Sequence, residues 1–273
     1  MAQEIRVDNV TFSFEDAGTG SPIVLIHGWS MSGRFFQRQL EHLAASHRVI
    51  VPDLRGHGHS EKVMHGHTVP QYAADLHSLL GQLSVSRPVL AGWSMGAMVA
   101  YEYLRAFGPG SVAGLVIVDQ PPSDFAWDNY EFGVITLDAL REMNEQLQTD
   151  QAALVAEFSE LMLHEPDEHT LAWMREEIMR VPPVIASTIL TDQTLRDYRD
   201  FLPQIDVPTL VLFGEDDKLT SPKAGKYIAD RVPGARLQTF PASSHCPFWE
   251  ESGSFNAAVA EFAAGLSSPV TAA

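Results

Sequence analysis

The chain has 273 residues, and its 18 Lys and Arg against 35 Asp and Glu give a formal net charge of −17. Such an acidic surface repels phosphate backbones and anionic headgroups, so we expect neither a nucleic-acid nor a membrane partner. The single cysteine, Cys246, excludes an intrachain disulfide and a cysteine-rich zinc site. Residues 1–10 lack the apolar core of a signal peptide, and we therefore expect a cytoplasmic protein.

The first predicted element is a hairpin over residues 5–14, with Asp8 and Asn9 in the turn. Short, β-branched apolar runs then alternate with helical segments. The predicted strands are residues 22–27, 47–52, 88–92, 115–119, 209–214 and 236–240, and the predicted helices include 71–83, 95–107 and 222–231. Continuously apolar strands are typical of sheets covered on both faces. The pattern therefore predicts an α/β fold with a mostly parallel, doubly wound sheet.

Residues 121–200 break this alternation, because apolar residues there follow helical spacing throughout. We expect a helical cap at 121–200, inserted into a core formed by 1–120 and 201–273. The cap is rich in methionine and aromatic residues: Met143, Met162, Met174, Met179, Phe158 and Trp173. Most such residues form helix cores, and the alternative is that some of them line a substrate pocket.

The pentapeptide Gly92-Trp93-Ser94-Met95-Gly96 lies between a predicted strand and a predicted helix. This is the Gly-x-Ser-x-Gly nucleophile elbow in the context that it requires. The sharp turn strains the backbone at the serine, and a Cβ at either glycine would crowd the neighbouring elements. Ser94 is therefore the predicted nucleophile.

A serine nucleophile needs a histidine base, and three histidines follow Ser94 in the chain. His164 and His169 lie in the polar part of the cap. His245 lies in a loop after the last predicted strand, which makes it the candidate base.

The base needs a carboxylate to orient it, and Glu215, Asp216 and Asp217 follow the predicted strand 209–214. We favour Asp217 as the acid. Asp216 and Asp119, the latter at the end of an earlier strand, are the alternatives.

The negative charge that develops on a substrate oxygen needs backbone N–H donors. On this pattern one donor is the residue after the nucleophile, Met95. The loop after the strand 22–27 supplies the other, which we expect to be Trp29, with Gly28 allowing close approach. His27 is expected to be structural.

Taken together, His27-Gly28-Trp29, the loop 53–60, the elbow, the acid turn 214–220 and Ser244-His245 resemble the α/β-hydrolase-fold serine hydrolases. The likeness covers nearly the whole chain outside the cap. It is closest to the branch of cofactor-free haloperoxidases (perhydrolases), aryl esterases and lactonases. The resemblance implies no cofactor, and it implies peracid formation as a side reaction when hydrogen peroxide replaces water.

The leading hypothesis is hydrolysis of a small apolar or aromatic ester or lactone through an acyl-Ser94 intermediate. Trp93 and Phe125 are the predicted pocket residues.

One alternative keeps the site but cleaves carbon–carbon bonds or enol-lactones. A basic residue in the pocket would favour this alternative, and the cap arginines to inspect are Arg141, Arg175, Arg180 and Arg196. The other alternative is a non-catalytic ligand-binding protein. Self-association into a homo-oligomer is left open.

Three further features have structural interpretations. His57, His59, His65 and His67 share one loop, but they lack the regular spacing of metal ligands, so we expect no metal. Asp53 and Arg55 are expected to form an ion pair that fixes their loop. Cys246, next to His245, is expected to be a packing residue and not a rival nucleophile.

Overall fold

A computed structural model describes residues 2–267, which form an eight-stranded sheet with the strand order β1-β2-β4-β3-β5-β6-β7-β8. Pairings of β2 with β1 and β4 are antiparallel, and the pairings from β4 to β8 are parallel. The strands are β1 (Gln3–Val7), β2 (Val10–Ala17), β3 (Pro22–Ile26), β4 (Arg48–Pro52), β5 (Val89–Trp93), β6 (Gly114–Val118), β7 (Thr209–Gly214) and β8 (Arg236–Phe240). The predicted mostly parallel sheet is confirmed.

The predicted amino-terminal hairpin is present as β1 and β2. Its two turn residues, Asp8 and Asn9, both have positive φ, at 47° and 70°. Two-residue turns of this kind match the twist of antiparallel strands, and Asp and Asn tolerate them well. Val7 consequently pairs with Val10, which sets the register of the hairpin.

Helices cover both faces of the sheet, as the apolar strands require. One face carries α2 (Val69–Gln82), α3 (Met95–Phe107) and α8 (Lys223–Ala229), and the other carries α1 (Gln37–Leu43), α9 (Pro247–Glu250) and α10 (Ser252–Ser267). Strand β3 shows how one strand serves both layers. Val24 and Ile26 pack in the first core, whereas Ile23 and Leu25 pack in the second.

Four helices lie between β6 and β7, within the region predicted to be a cap. They are α4 (Leu137–Thr149), α5 (Gln151–Leu161), α6 (Glu168–Ile178) and α7 (Pro183–Thr194). Side chains of Thr136, Asp150 and Asp167 accept N–H groups in the first turns of α4, α5 and α6. Helix α7 follows Pro182 and begins at Pro183. Proline is well suited to the first position of a helix, because an N–H there would have no partner within the helix. We call α4–α7 and the segments that join them the cap, and the predicted division at 121–200 stays a prediction.

The expected ion pair between Asp53 and Arg55 is wrong. Arg55 instead makes two bonds of 2.7 Å to the carboxylate of Asp75 on α2. The carboxylate of Asp53 accepts the backbone N–H groups of Gly33 and His59, each at 2.7 Å. Both residues still fix the loop, but each binds a different segment of the chain.

Within residues 2–267, no helix is long and apolar enough to cross a membrane.

Candidate active site

Ser94 lies at the junction of β5 and α3 with a φ of 53°. This left-handed conformation is strained for a residue with a side chain, and the flanking glycines show why the strain persists. A Cβ on Gly92 would collide with the carbonyl of Gly96, and a Cβ on Gly96 would collide with the carbonyl of Ile26 on β3. The tight turn presents the partly exposed Ser94 side chain to a cavity at the carboxyl ends of the strands.

His245 and Asp217 form a buried pair beside the same cavity. His245 Nδ1 lies 3.0 Å from Asp217 Oδ2, and the side chains are 2% and 0% exposed. Asp217 also accepts the backbone N–H groups of Leu219 at 2.8 Å and Thr220 at 3.1 Å, and the Thr220 hydroxyl at 2.5 Å. Burial alone raises the pKa of Asp217, but the His245 ring and these donors outweigh burial and hold the pKa below its ordinary value. The carboxylate form is therefore favoured.

The neighbouring carboxyl, Asp216, points away from this pair. It is exposed, and its Oδ2 lies 2.8 Å from Nδ1 of His164 in the cap. The structure therefore brings Asp217, and not Asp216, to His245.

Asp119 lies behind the His245–Asp217 pair and is fully buried. Its carboxyl oxygens accept the N–H of Gly214 at 3.0 and 3.2 Å. Ligand atoms of Asp119, Asp217 and His245 lie within 4.8 Å of one another, close enough to share a cation. Burial, and then the negative charge of Asp217, raise the pKa of Asp119 well above its ordinary value. The protonated form of Asp119 is therefore favoured beside the carboxylate of Asp217.

Two backbone segments adjoin Ser94 where the oxyanion donors are predicted. Met95 is the first residue of α3, where N–H groups have no partner within the helix. A Cβ on Gly28 would lie 3.0 Å from Ser94 Cβ, so the loop that continues into Trp29 passes directly beside the nucleophile.

The side chains of His27 and Trp29 attach that loop to two other segments of the chain. Nε2 of His27 accepts the N–H of Leu54 at 3.0 Å, and Nδ1 lies 2.8 Å from the carbonyl of Gly28. Burial lowers the pKa of His27, which favours the neutral ring that these two bonds require. The Trp29 indole donates to the carbonyl of Ala186 on α7 at 2.9 Å, which joins the loop to the cap.

The cavity has a volume of about 200 Å³. Its lining combines mainly apolar cap side chains with polar groups near Ser94: Trp29, Ser94, Gln120, Asp124, Val134, Ile135, Met143, Phe158, Leu190, Gln193, Leu219, Thr220 and His245. Two of the six Met and aromatic residues singled out in the cap, Met143 and Phe158, thus face the cavity.

Neither of the two predicted pocket residues lines this cavity. Trp93 belongs to β5 and is fully buried; its indole donates to the backbone carbonyl of His245 at 2.8 Å and packs on Phe35 and Phe248. Trp93 therefore supports the His245 loop and does not contact substrate space. The ring of Phe125 packs on Trp127, with ring centroids 4.6 Å apart, while its neighbour Asp124 turns into the cavity.

Asp124 is an ionisable residue of the cavity lining that the sequence did not predict. Asp124 is buried, with 6% of its surface exposed. Oδ1 accepts the Gln120 amide at 2.6 Å, and Oδ2 lies 3.4 Å from the Gln193 amide nitrogen. Burial raises the pKa of Asp124 to about 6, although Gln120, His245 and Gln193 act in the opposite direction. One sequence signal was present: Asp124 closely follows β6 at the sheet edge where Ser94 and His245 also emerge.

The four cap arginines do not line the cavity. Each forms an ion pair with a nearby acid: Arg141 with Asp138, Arg175 with Glu160, Arg180 with Glu177 and Arg196 with Asp192. The charged side chains that reach the cavity lining are therefore Asp124 and the ionisable His245.

Cys246 does not compete with Ser94. It is fully buried, and burial raises the pKa of its thiol well above the ordinary value. A thiol held in its protonated form is a poor nucleophile, which agrees with a packing role.

The fold and this site together define a class of protein, an α/β protein that presents a serine on a strained turn beside a buried histidine–aspartate pair. Comparison with known sequences identifies the family. Residues 23–262 match the model of the Alpha/beta hydrolase family, and the chain belongs to that family. Its α/β-hydrolase fold is thereby shown.

Named relatives and solved structures place it more closely. The chain is 32% identical to the non-heme chloroperoxidase CPO-A1 of Kitasatospora aureofaciens, over 87% of this chain and 90% of that protein. The structure is similar to an esterase (EaEST) from Exiguobacterium antarcticum, with a TM-score of 0.92, 27% identity, and coverage of 97% and 100% of the two chains. A bromoperoxidase from Bacillus anthracis gives a TM-score of 0.91 at 25% identity, covering 96% and 99%. These similarities agree with the haloperoxidase and esterase branch indicated by the sequence.

Proposed function

We propose that this hydrolase is a serine esterase or lactonase that cleaves small carboxylic esters through an acyl-Ser94 intermediate. The observation that carries the proposal is that Ser94 and His245 line one cavity while Asp217 holds Nδ1 of His245 at 3.0 Å. With Nδ1 engaged, Nε2 is the ring nitrogen left to receive the serine proton.

In the first half of the reaction, Ser94 Oγ attacks the ester carbonyl and His245 takes the hydroxyl proton. The N–H groups of Met95 and Trp29 stabilise the oxyanion, where losing one such donor typically costs about 10²–10³ in rate. His245 then gives the proton to the departing alcohol, and Ser94 carries the acyl group. Asp217 stays ionised throughout, which its lowered pKa favours.

In the second half, His245 removes a proton from water, and the resulting hydroxide attacks acyl-Ser94. Collapse of the tetrahedral intermediate releases the acid and returns the proton to Ser94 Oγ. A lactone is a cyclic ester and follows the same steps, except that its alcohol stays attached to the acyl group.

The cavity supports a small substrate. A volume of about 200 Å³ lies below the roughly 300–1,000 Å³ of typical ligand pockets. Phe158, Leu190 and Met143 favour an apolar acyl group or an aromatic ring. The carbon–carbon hydrolase alternative is favoured by a basic residue in the pocket, but the cavity lining, as formed by the described residues, includes Asp124 and no lysine or arginine, so a substrate with a free carboxylate is disfavoured.

Perhydrolysis is a second activity of the same intermediate. If hydrogen peroxide replaces water, His245 takes a proton from it and one of its two oxygens attacks acyl-Ser94; the proton then returns to Ser94 Oγ as the peracid leaves. The peracid then oxidises halide without a metal. Similarity to proteins named non-heme chloroperoxidase and bromoperoxidase supports this side reaction.

The test is Ser94→Ala, with release of p-nitrophenol from its acetate ester as the assay. We expect the variant to lose at least about 10³-fold in kcat because no nucleophile remains. The circular dichroism spectrum of the variant should match that of the wild type, because the alanine side chain is small enough for the turn and the protein stays folded. Ser78→Ala on α2 is the matched control and should keep full activity. Undiminished turnover by Ser94→Ala would reject the assignment of the nucleophile.

A further inference from the structure

We infer that Asp124 and Gln193 form a second polar subsite in the cavity, which binds a hydrogen-bond-donating group on the substrate, an ammonium in preference to a hydroxyl. This inference rests on the proposed function, because it names the substrate class of the same site. It assigns a recognition role to two residues that the hydrolytic steps do not use.

The first observation is the set of partners around Asp124. Its carboxylate is held by two neutral amides, Gln120 at 2.6 Å and Gln193 at 3.4 Å. A carboxylate has about four acceptor sites, so two amide donors leave acceptor capacity unused. The 3.4 Å contact is also long for a strong hydrogen bond.

The second observation is the other half of the Gln193 amide. Gln193 is 6% exposed, and its Oε1 is buried without a hydrogen-bond partner among the residues that the structure describes. Buried polar atoms are nearly always paired, because an unpaired acceptor loses its interaction with water and gains nothing in return. A donor that reached the wall at Asp124 and Gln193 would satisfy both groups.

The third observation is where this wall lies. Asp124, Gln193, Ser94 and His245 line one cavity, and the lining between them is mainly apolar. A substrate with its ester at Ser94 and a donor group a few bonds away would therefore meet polar groups at both ends and apolar groups along its length. Because the cavity is small, this arrangement favours a substrate with a short chain between the ester and the donor group.

Charge favours an ammonium over a hydroxyl. No lysine or arginine pairs with Asp124 in the part of the chain described by the structure, so the charge of its carboxylate is not neutralised. The titratable groups that interact with it are His245 and, more weakly, Tyr130. Because burial raises the Asp124 pKa to about 6, the carboxylate is ionised at neutral pH and able to attract a cation.

The test uses three phenyl esters of nearly equal size, the β-alanyl, hydroxypropanoyl and butanoyl esters, which end in ammonium, hydroxyl and methyl. Phenol release at about pH 7.5 measures kcat/KM, and uncatalysed hydrolysis is subtracted. In the wild type we expect the β-alanyl ester to be preferred over the butanoyl ester by about tenfold or more, with the hydroxyl ester between them.

Asp124→Asn keeps the size of the side chain and removes its charge. We expect it to remove the preference, so that the ratio of kcat/KM for the ammonium ester over the butanoyl ester falls to about one. Gln193→Leu should lower the ratios of kcat/KM for the ammonium and hydroxyl esters over the butanoyl ester. A wild type without preference, or an equal loss on all three esters in Asp124→Asn, would overturn the subsite.

A binding measurement separates this inference from the proposed chemistry. The unreactive amides β-alaninamide and butanamide are titrated into wild type and Asp124→Asn by calorimetry. Tighter binding of β-alaninamide by the wild type alone supports the subsite even if ester turnover fails. Equal binding of both amides contradicts the subsite even if Ser94 proves to be the nucleophile.

Discussion

The carboxyl edge of the sheet and the cap contribute different kinds of residue to the lining of one cavity. The sheet edge contributes Ser94 and His245, which loops after β5 and β8 hold by backbone contacts. The cap contributes Met143, Phe158 and Leu190, which are apolar side chains on α4, α5 and α7. On the proposed function, the sheet edge carries the reacting groups, whereas the cap shapes the space that the substrate occupies.

The sheet edge tolerates little change because backbone segments touch there. A Cβ on Gly214, at the end of β7, would collide with the carbonyls of Ser243 and Ser244, directly before His245. This close approach brings the acid loop and the histidine loop together. Met143, Phe158 and Leu190 meet the cavity through side chains, so a truncation there enlarges the cavity while the backbone contacts around Ser94 and His245 stay in place.

The largest effect expected at the sheet edge is that of Asp217→Asn. Asparagine cannot orient and stabilise the protonated His245 as a carboxylate does, so kcat should fall by about 10⁴-fold, with a smaller change in KM. Steady-state kinetics on p-nitrophenyl acetate checks this.

Asp216→Asn is the matched control for that substitution, since Asp216 is exposed and contacts His164. It should keep kcat within about threefold of the wild type. If the two variants lost activity equally, the assignment of the acid would be wrong.

In the cap, Phe158→Ala should change selectivity more than rate. Removing the ring that packs edge-on against Trp29 enlarges the cavity. The ratio of kcat/KM for hexanoyl over acetyl esters should rise by about tenfold, because each added methylene that finds an apolar contact favours the longer acyl group.

Leu161→Ala, an exposed residue at the end of the same helix, is the control and should leave this ratio unchanged. A rise in the ratio for both variants would point to a general loosening of the cap and not to the cavity wall.

The smallest effect expected is that of Asp119→Asn, which tests the protonated carboxyl behind the acid. Because the pKa of Asp119 is raised in the folded state, its contribution to stability is complete below the unfolded pKa and is lost as pH rises through the folded pKa. Asparagine mimics the protonated acid and does not titrate. The midpoint temperature of thermal unfolding, measured between about pH 5 and pH 9, should therefore fall less steeply with rising pH in the variant than in the wild type.

Activity of Asp119→Asn should stay within about threefold of the wild type. A parallel decline of both proteins with pH would show that Asp119 is not the group that titrates.

The sequence carries more information about the sheet edge than about the cap. A strained turn is predicted by Gly92, Ser94 and Gly96, because a serine flanked in this way by two glycines between a strand and a helix is typical of the nucleophile elbow. The predicted strand 209–214 and helix 95–107 have the bounds of β7 and α3. Asp217 was favoured over Asp216, and the structure places it against His245.

The cap side of the cavity depends on contacts between distant segments, which local patterns do not reveal. Asp124 is buried because residues 134 and 135 return to bond with its carbonyl and because Gln193, on α7, packs beside it. Trp93 was expected in the pocket on the strength of its aromatic ring, but its place in β5 puts that ring in the core. Composition therefore indicated an apolar pocket without indicating which residues form it.

The most direct test of the central claim is to trap the acyl group itself. The protein is mixed with p-nitrophenyl acetate, quenched in acid during the first turnover, digested and mapped by mass spectrometry. We expect one acetyl group per chain, on the peptide that contains Ser94, formed together with a stoichiometric burst of p-nitrophenol. Turnover of the ester with no acetyl group on Ser94, or with the acetyl group on another residue, would contradict the claim.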